Sequence, residues 1–205
     1  MKAYKPTSAG RRDGTVIEYK KKLTSTKSNP LKTLTAGGRS TGGRNNLGRT
    51  TNLNRGGGNK RTYRLVDFKF DKKDVPARVE TIEYDPYRSG FIALVLYKDG
   101  ERRYILVPQQ VAVGDEIITS AEAKPKAGNR LPLGKIPVGT FIFNIELKPG
   151  AGARIARSAG NYAEVVAQDA GYTLVKLPSS EVRKIISTAW ASIGAVSNEE
   201  YRLVK

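Results

Sequence analysis

The sequence predicts an all-β protein made of two small barrels, joined by a short connection and preceded by a long basic extension. Three observations carry that prediction. From Leu65 onward, apolar and polar residues alternate with period two over short runs, as half-buried strands require. Turn-forming clusters interrupt those runs at short intervals, which favours small barrels over a sandwich of long strands. Residues 1–64 hold sixteen Lys/Arg against two acids (Asp13, Glu18), so +14 of the chain's +17 sits where apolar periodicity is missing.

Taken in order, residues 1–41 show only one short expected strand, Thr15–Tyr19, followed by Lys20-Lys21-Lys22 and a Ser/Thr/Lys run that reads as a solvated linker. Low apolar content with high net charge cannot offset the entropy of ordering, so this extension is expected to take shape only against a polyanion. Nucleic acid is the polyanion a soluble basic protein most often meets. The first barrel is expected over 42–122. It opens on a Gly/Asn/Arg segment (42–64) and continues with strands at Arg78–Tyr84, Gly90–Tyr97, Arg103–Val107 and Glu116–Thr119. Lys98-Asp99-Gly100-Glu101 between two apolar runs is a hairpin signal. Residues 123–134 read as a linker, in a stretch broken by Pro125, Pro132 and Pro137. The second barrel and the C-terminal end fill 135–205, with strands at Thr140–Glu146, Ala163–Gln168, Tyr172–Leu177 and Val182–Ser187. Trp190 and Tyr172 lie in apolar contexts and are expected in the core. No helix longer than about two turns is expected.

Composition narrows the function. There is no Cys, hence no disulfide and no thiolate nucleophile or metal site. There is no His, which removes the commonest general base and the commonest zinc ligand. No apolar window is long enough for a membrane span, and the basic N-terminus lacks the apolar stretch of a secretory signal. No pair of carboxylates is placed for acid/base work, so neither a catalytic site nor a cofactor is expected.

What remains is a set of cationic motifs. Arg55-Gly56-Gly57-Gly58-Asn59-Lys60-Arg61 is not a phosphate-binding P-loop, because Asn59 separates Gly58 from Lys60 and no apolar strand precedes it. Its glycines can still bring backbone N–H groups to phosphates, and Arg44, Asn45, Arg49 and Arg64 lie nearby. A flexible linker is the plain alternative. Asp85-Pro86-Tyr87-Arg88-Ser89-Gly90 is a turn whose Tyr could stack on a base and whose Arg could fork onto a phosphate, or an ordinary hairpin tip with a solvated Arg. Arg154-Ile155-Ala156-Arg157-Ser158-Ala159-Gly160 sets two Arg beside small residues that would admit a bulky partner, or along a solvated edge.

Several strings resemble the universal large-subunit ribosomal protein L-two family in its bacterial or organellar form. They include Tyr4-Lys5-Pro6-Thr7-Ser8 with Gly10-Arg11-Arg12, Gly42-Gly43-Arg44-Asn45-Asn46, Arg55-Gly56-Gly57-Gly58, Val66-Asp67-Phe68-Lys69, Ile82-Glu83-Tyr84-Asp85-Pro86, Asn144-Ile145-Glu146-Leu147-Lys148-Pro149-Gly150 and Ala156-Arg157-Ser158-Ala159-Gly160. They are collinear over essentially the whole chain. The resemblance implies an OB-type barrel followed by an SH3-like barrel. It also implies direct binding to large-subunit rRNA beside other ribosomal proteins and the small subunit, in a bacterial cytoplasmic or an organellar ribosome. Assembly, subunit association and support of the peptidyl transferase region are the implied roles. Arg88 and Arg157 match the family's rRNA-contacting arginines. Arg11, Arg12, Arg44, Asn45, Arg49, Arg55, Lys60, Arg61 and Arg64 complete the expected RNA-binding set.

The sequence also departs from the family pattern. The family runs on for some seventy residues past Lys205, in a tail carrying the histidine linked to peptidyl transfer, so no such role is expected here. Asn59, Phe143 and Tyr201 stand where histidines are usual, Ser180 where a turn glycine is usual, and Tyr87 where Asn is usual. The expected function is therefore a structural, non-enzymatic rRNA-binding protein. An RNA chaperone or nucleoid protein, and a nucleic-acid enzyme, are its rivals.

Overall fold

A computed structural model describes residues 1–25, 30–38 and 40–205. Part of the expected Ser/Thr/Lys linker, residues 26–29, lies outside the described residues, as does residue 39. The chain runs through β1 (Lys2–Ala3), β2 (Thr15–Val16), a single α-turn (Tyr19–Lys22), β3 (Thr35–Gly37), β4 (Thr62–Arg64), β5 (Ala77–Glu83), β6 (Ile92–Tyr97), β7 (Arg102–Leu106) and β8 (Glu116–Ile117). It continues through β9 (Arg130–Pro132), β10 (Phe141–Phe143), β11 (Ile145–Glu146), β12 (Ala153–Ile155), β13 (Ala163–Asp169), β14 (Tyr172–Lys176), β15 (Val182–Ile186) and β16 (Trp190–Ile193).

The first, OB-type barrel is the antiparallel order β7-β6-β5-β8, extended by a parallel bridge between Val66 and Tyr104. The Asp-Gly turn closes the β6–β7 hairpin, with Gly100 at φ +89° and its N–H donating to the Tyr97 carbonyl at 2.9 Å. β5 changes register against β6 between Val79 and Thr81, and the extra residue of this bulge bends the strand around the core. Inside lie Val79, Phe91, Ala93, Val95, Ile105 and Val107. The second, SH3-like barrel is the order β15-β14-β13-β10-β16-β9, with the hairpin β11–β12 beside it and Ile142, Phe143, Val165, Val175, Ala191 and Val196 at its centre. The φ of Ser180 is +71°, so this serine carries the left-handed turn for which glycine is better suited.

The barrels are fastened to each other through backbone and side chain. Ser197 N–H donates to the Val107 carbonyl at 3.1 Å, and the Phe91 N–H donates to Ser197 Oγ at 3.0 Å. Arg130 is 1 % exposed, and its guanidinium donates to Glu146 Oε1 (2.9 Å) and to the Asn144 carbonyl (2.7 Å). It also stacks 4.3 Å from the Phe70 ring of the first barrel. Burial pulls this guanidinium down to about 10, and the Glu146 carboxylate offsets part of that.

Three expectations are corrected. The leader (1–41) is not without structure: among its described residues, several apolar side chains lie against the rest of the protein. Ile17 is buried, Tyr19 meets Tyr84 and Phe91 edge-on, and Thr24 exchanges hydrogen bonds with Ile82 at the edge of β5. Leu31, Leu34 and Val66 cover Ile92, Leu94 and Tyr104, while Leu31 N–H donates to Tyr104 Oη at 2.9 Å. Periodicity could not reveal anchors that are singly spaced. Second, residues 123–134 are not merely a linker: β9 pairs with β16 at the edge of the second sheet. Its Pro132 is tolerated at a strand end. Third, Tyr172 is 42 % exposed beneath Lys184, and Trp190 is half-buried with Lys73 5.0 Å from its ring.

Candidate nucleic-acid interface

The Gly/Asn/Arg segment folds into a loop by local bonds. Asn45 Oδ1 accepts the N–H groups of Leu47 (3.0 Å) and Arg49 (2.9 Å), and Arg44 bridges to Thr50. Gly43, at φ +78°, lies so close to the returning chain that a Cβ would stand 2.4 Å from the Asn52 carbonyl oxygen. The loop and the triglycine run wall a trough of about 1640 Å³ beside the turn at 85–90. Among the described residues that line it, the cations are Arg44, Lys60 and Arg61, the aromatic is Tyr87, and none is acidic. Arg61 Nη1 donates to the Pro86 carbonyl at 3.4 Å, tying the trough to that turn.

On the other side of the turn, Arg88 and Arg157 converge on one ring. Their guanidinium carbons lie 5.4 Å and 4.6 Å from the Phe68 centroid. Arg88 Nη1 is 3.1 Å from Oδ2 of the fully buried Asp85, a charge contact whose angle falls short of a hydrogen bond. Asp85 Oδ1 accepts the Tyr87 N–H at 2.9 Å, which fixes the turn. Arg88 is therefore not a solvated tip: its side chain is 15 % exposed. Arg157 is exposed, and follows Ala156 at φ +54°, a left-handed kink that turns the chain toward Phe68.

The structure thus gathers Arg44, Asn45, Lys60 and Arg61 in the trough, and Arg88 with Arg157 on Phe68. Arg49 and Arg55 are exposed on the loop but do not line the trough. Arg11 and Arg12 sit apart on the leader, Arg11 beside Tyr4. Asn45 spends its side-chain oxygen shaping the loop. Arg64 is 2 % exposed, with Nη1 donating to the Thr62 carbonyl at 2.7 Å, so it is not a surface cation in this structure. Phe68 and Asp85 were not expected at the site. Phe68 lay within a family-like string that does not signal its contacts with Arg88 and Arg157, while Asp85, before a turn proline, acts within its own turn.

Residues 31–119 match the family model described as Ribosomal Proteins L2, RNA binding N-terminal domain, and residues 126–205 match Ribosomal Proteins L2, C-terminal domain. The chain belongs to the L2 family of ribosomal proteins. Relatives named large ribosomal subunit protein uL2 agree: that of Granulibacter bethesdensis is 55 % identical over 200 residues, 98 % of this chain and 71 % of that protein. Those of Ruegeria sp. and Rhodopseudomonas palustris are 52 % and 51 % identical, each over 98 % of this chain and 70 % and 71 % of their own lengths. The N-terminal L2 match begins at Leu31, the residue clasped by Tyr104, and includes the whole trough.

Proposed function

We propose that this L2-family protein is a non-enzymatic constituent of the large subunit of a bacterial ribosome and binds large-subunit rRNA directly. Assembly, association with the small subunit and support of the peptidyl transferase region follow as its roles, with neighbouring ribosomal proteins as further partners. The observation that carries this reading is the trough: Arg44, Lys60 and Arg61 beside a run of glycines, with no acidic side chain among the described residues that line it. Arg44, Lys60 and Arg61, with Arg49 and Arg55 on the same loop and Arg11 and Arg12 apart on the leader, neutralise phosphates and release counterions. Arg88 and Arg157 add planar forks held on Phe68, suited to a phosphate or a guanine edge. Asn45 and Arg64 act indirectly, by shaping the loop and the β3–β4 pair.

The test is titration of large-subunit rRNA fragments with the full chain over a salt series. With six to ten phosphates contacted, affinity falls about a thousandfold or more between 50 and 200 mM salt. An affinity indifferent to salt would remove the proposal.

A further inference from the structure

The trough carries more than charge. Tyr87 is 47 % exposed on its wall, and its ring meets that of Tyr63, itself 38 % exposed, edge to face at 5.3 Å and 79°. An edge-to-face pair engages at most one of its four ring faces, so flat π surface remains open. The pair is also held in place: Tyr87 N–H is bonded to Asp85, Arg61 is bonded to the Pro86 carbonyl, and β4 carries Tyr63 in register with β3. Two tyrosines fixed in this way, Tyr87 on the wall of a basic trough with no acid among its described lining residues and Tyr63 against it, would be an idle cost in exposed apolar surface if phosphates were all that docked there.

From this we infer that the trough takes single-stranded RNA, with an unpaired base stacked on the Tyr87–Tyr63 pair while the glycine floor and Arg44, Lys60 and Arg61 follow its phosphates. The inference rests on the RNA-binding reading and names the form of RNA. A duplex hides its base faces and presents only phosphate, sugar and groove edges, so it leaves the rings without a partner. A free mononucleotide or phosphate is too small, since the cavity exceeds the roughly 300–1,000 Å³ typical of small-molecule sites. Stacking on an aromatic tolerates any base and adds to backbone charge, which is how single strands are commonly held. The hydroxyl has no part in this: the face of the ring does the work.

The experiment compares Tyr87→Ala and Tyr87→Phe in the full chain, against a mixed-sequence single-stranded RNA and a blunt RNA duplex of equal phosphate number. Tyr87→Ala is expected to weaken single-strand binding about 5- to 100-fold, leave duplex binding within about twofold, and leave thermal unfolding unchanged. Tyr87→Phe is expected to bind as the parent does. Unchanged single-strand affinity in Tyr87→Ala, equal loss on both RNAs, or a Tyr87→Phe defect as large as that of Tyr87→Ala would each overturn the inference. An Arg44→Gln/Lys60→Gln variant separates the two readings. If it loses affinity for both RNAs while Tyr87→Ala does not, the RNA-binding reading stands and the stacking inference falls. If neither variant loses affinity, both fall.

Discussion

The two cationic surfaces beside the 85–90 turn are built on opposite plans. In the trough, Arg44 and Lys60 stand on an exposed backbone that local hydrogen bonds shape and no buried residue supports. Around Phe68 the arginines have other duties: Arg88 neutralises a buried carboxylate, and Arg157 donates, at 3.5 Å, to the Ala153 carbonyl. A cation without internal partners is available to phosphate at little conformational cost, and its removal costs the fold nothing. A cation that also satisfies the protein reports on both binding and stability. Residue type is alike in the two sets, and contacts within the protein separate them.

The extreme of the second plan is Arg130, which satisfies the protein and reaches no solvent. Arg130→Ala is expected to destabilise by about 3–5 kcal/mol, because Glu146 is left buried and uncompensated. Chemical denaturation measures this. Replacing both partners together by apolar residues of similar volume should cost markedly less, since the penalty lies in the orphaned charge. A single-variant loss below about 1 kcal/mol would mean that water reaches Glu146, and the contrast between buried and free cations would lose its anchor.

Arg88 and Arg157 sharpen the comparison, because they share a ring but not a commitment. Arg88→Ala is expected to cost about 2–3 kcal/mol of stability as well as RNA affinity, since Asp85 is 0 % exposed and Arg88 is its counter-ion. Arg157→Ala should cost less than about 1 kcal/mol, while RNA affinity still drops. Equal stability losses would show that the Phe68 contact, not the Asp85 charge, governs both.

For the trough, the triple change Arg44→Gln/Lys60→Gln/Arg61→Gln is expected to leave the denaturation midpoint almost unmoved. It should lower the slope of log affinity against log salt by about 2–3, since each phosphate that is no longer neutralised accounts for roughly 0.7–0.9. Loss of stability would place these cations with Arg88 instead.

The strand periodicity was legible because each barrel strand has one buried face. Arg78–Tyr84, Gly90–Tyr97 and Val182–Ser187 were expected within a residue or two of their observed bounds. β9 and β16 were not, since Arg130 and Ser192 are buried polar residues in short strands, β9 at the sheet edge and β16 beside it, whose pattern reads as a break. The trough's cations were legible from clustering and glycine content. The Phe68 convergence was not, because residues 68, 88 and 157 meet only through the docking of two barrels. The leader failed for a related reason. Its anchors Ile17, Tyr19, Leu31 and Leu34 are apolar residues in a basic stretch, and composition averages them away.

The smallest expected effect concerns that leader, whose cations resemble those of the trough but lie clasped to the C-terminal end. Lys22 Nζ and the Met1 amine sit 3.0 Å and 3.4 Å from Glu200 Oε2, and Lys205 N–H donates to Thr15 Oγ1 at 3.0 Å. The Lys22 ammonium beside it holds the Glu200 carboxyl below its usual value. A lowered folded pKa contributes stability that is present above the unfolded carboxylate value and is lost as pH falls through the folded one, so the clasp weakens only below about pH 4.5. The pair is partly solvated and screened, so the change is modest: hydrogen exchange at the β1–β2 pair should quicken about threefold in acid, after correction for intrinsic rates, and Glu200→Gln should reproduce this at neutral pH. Between about pH 6 and 8 no side chain of ordinary pKa titrates, because the chain has no histidine. The trough, whose cations are Arg and Lys side chains, should hold constant there. An RNA affinity that shifts within that interval would show that a group other than the trough's Arg and Lys side chains holds the RNA.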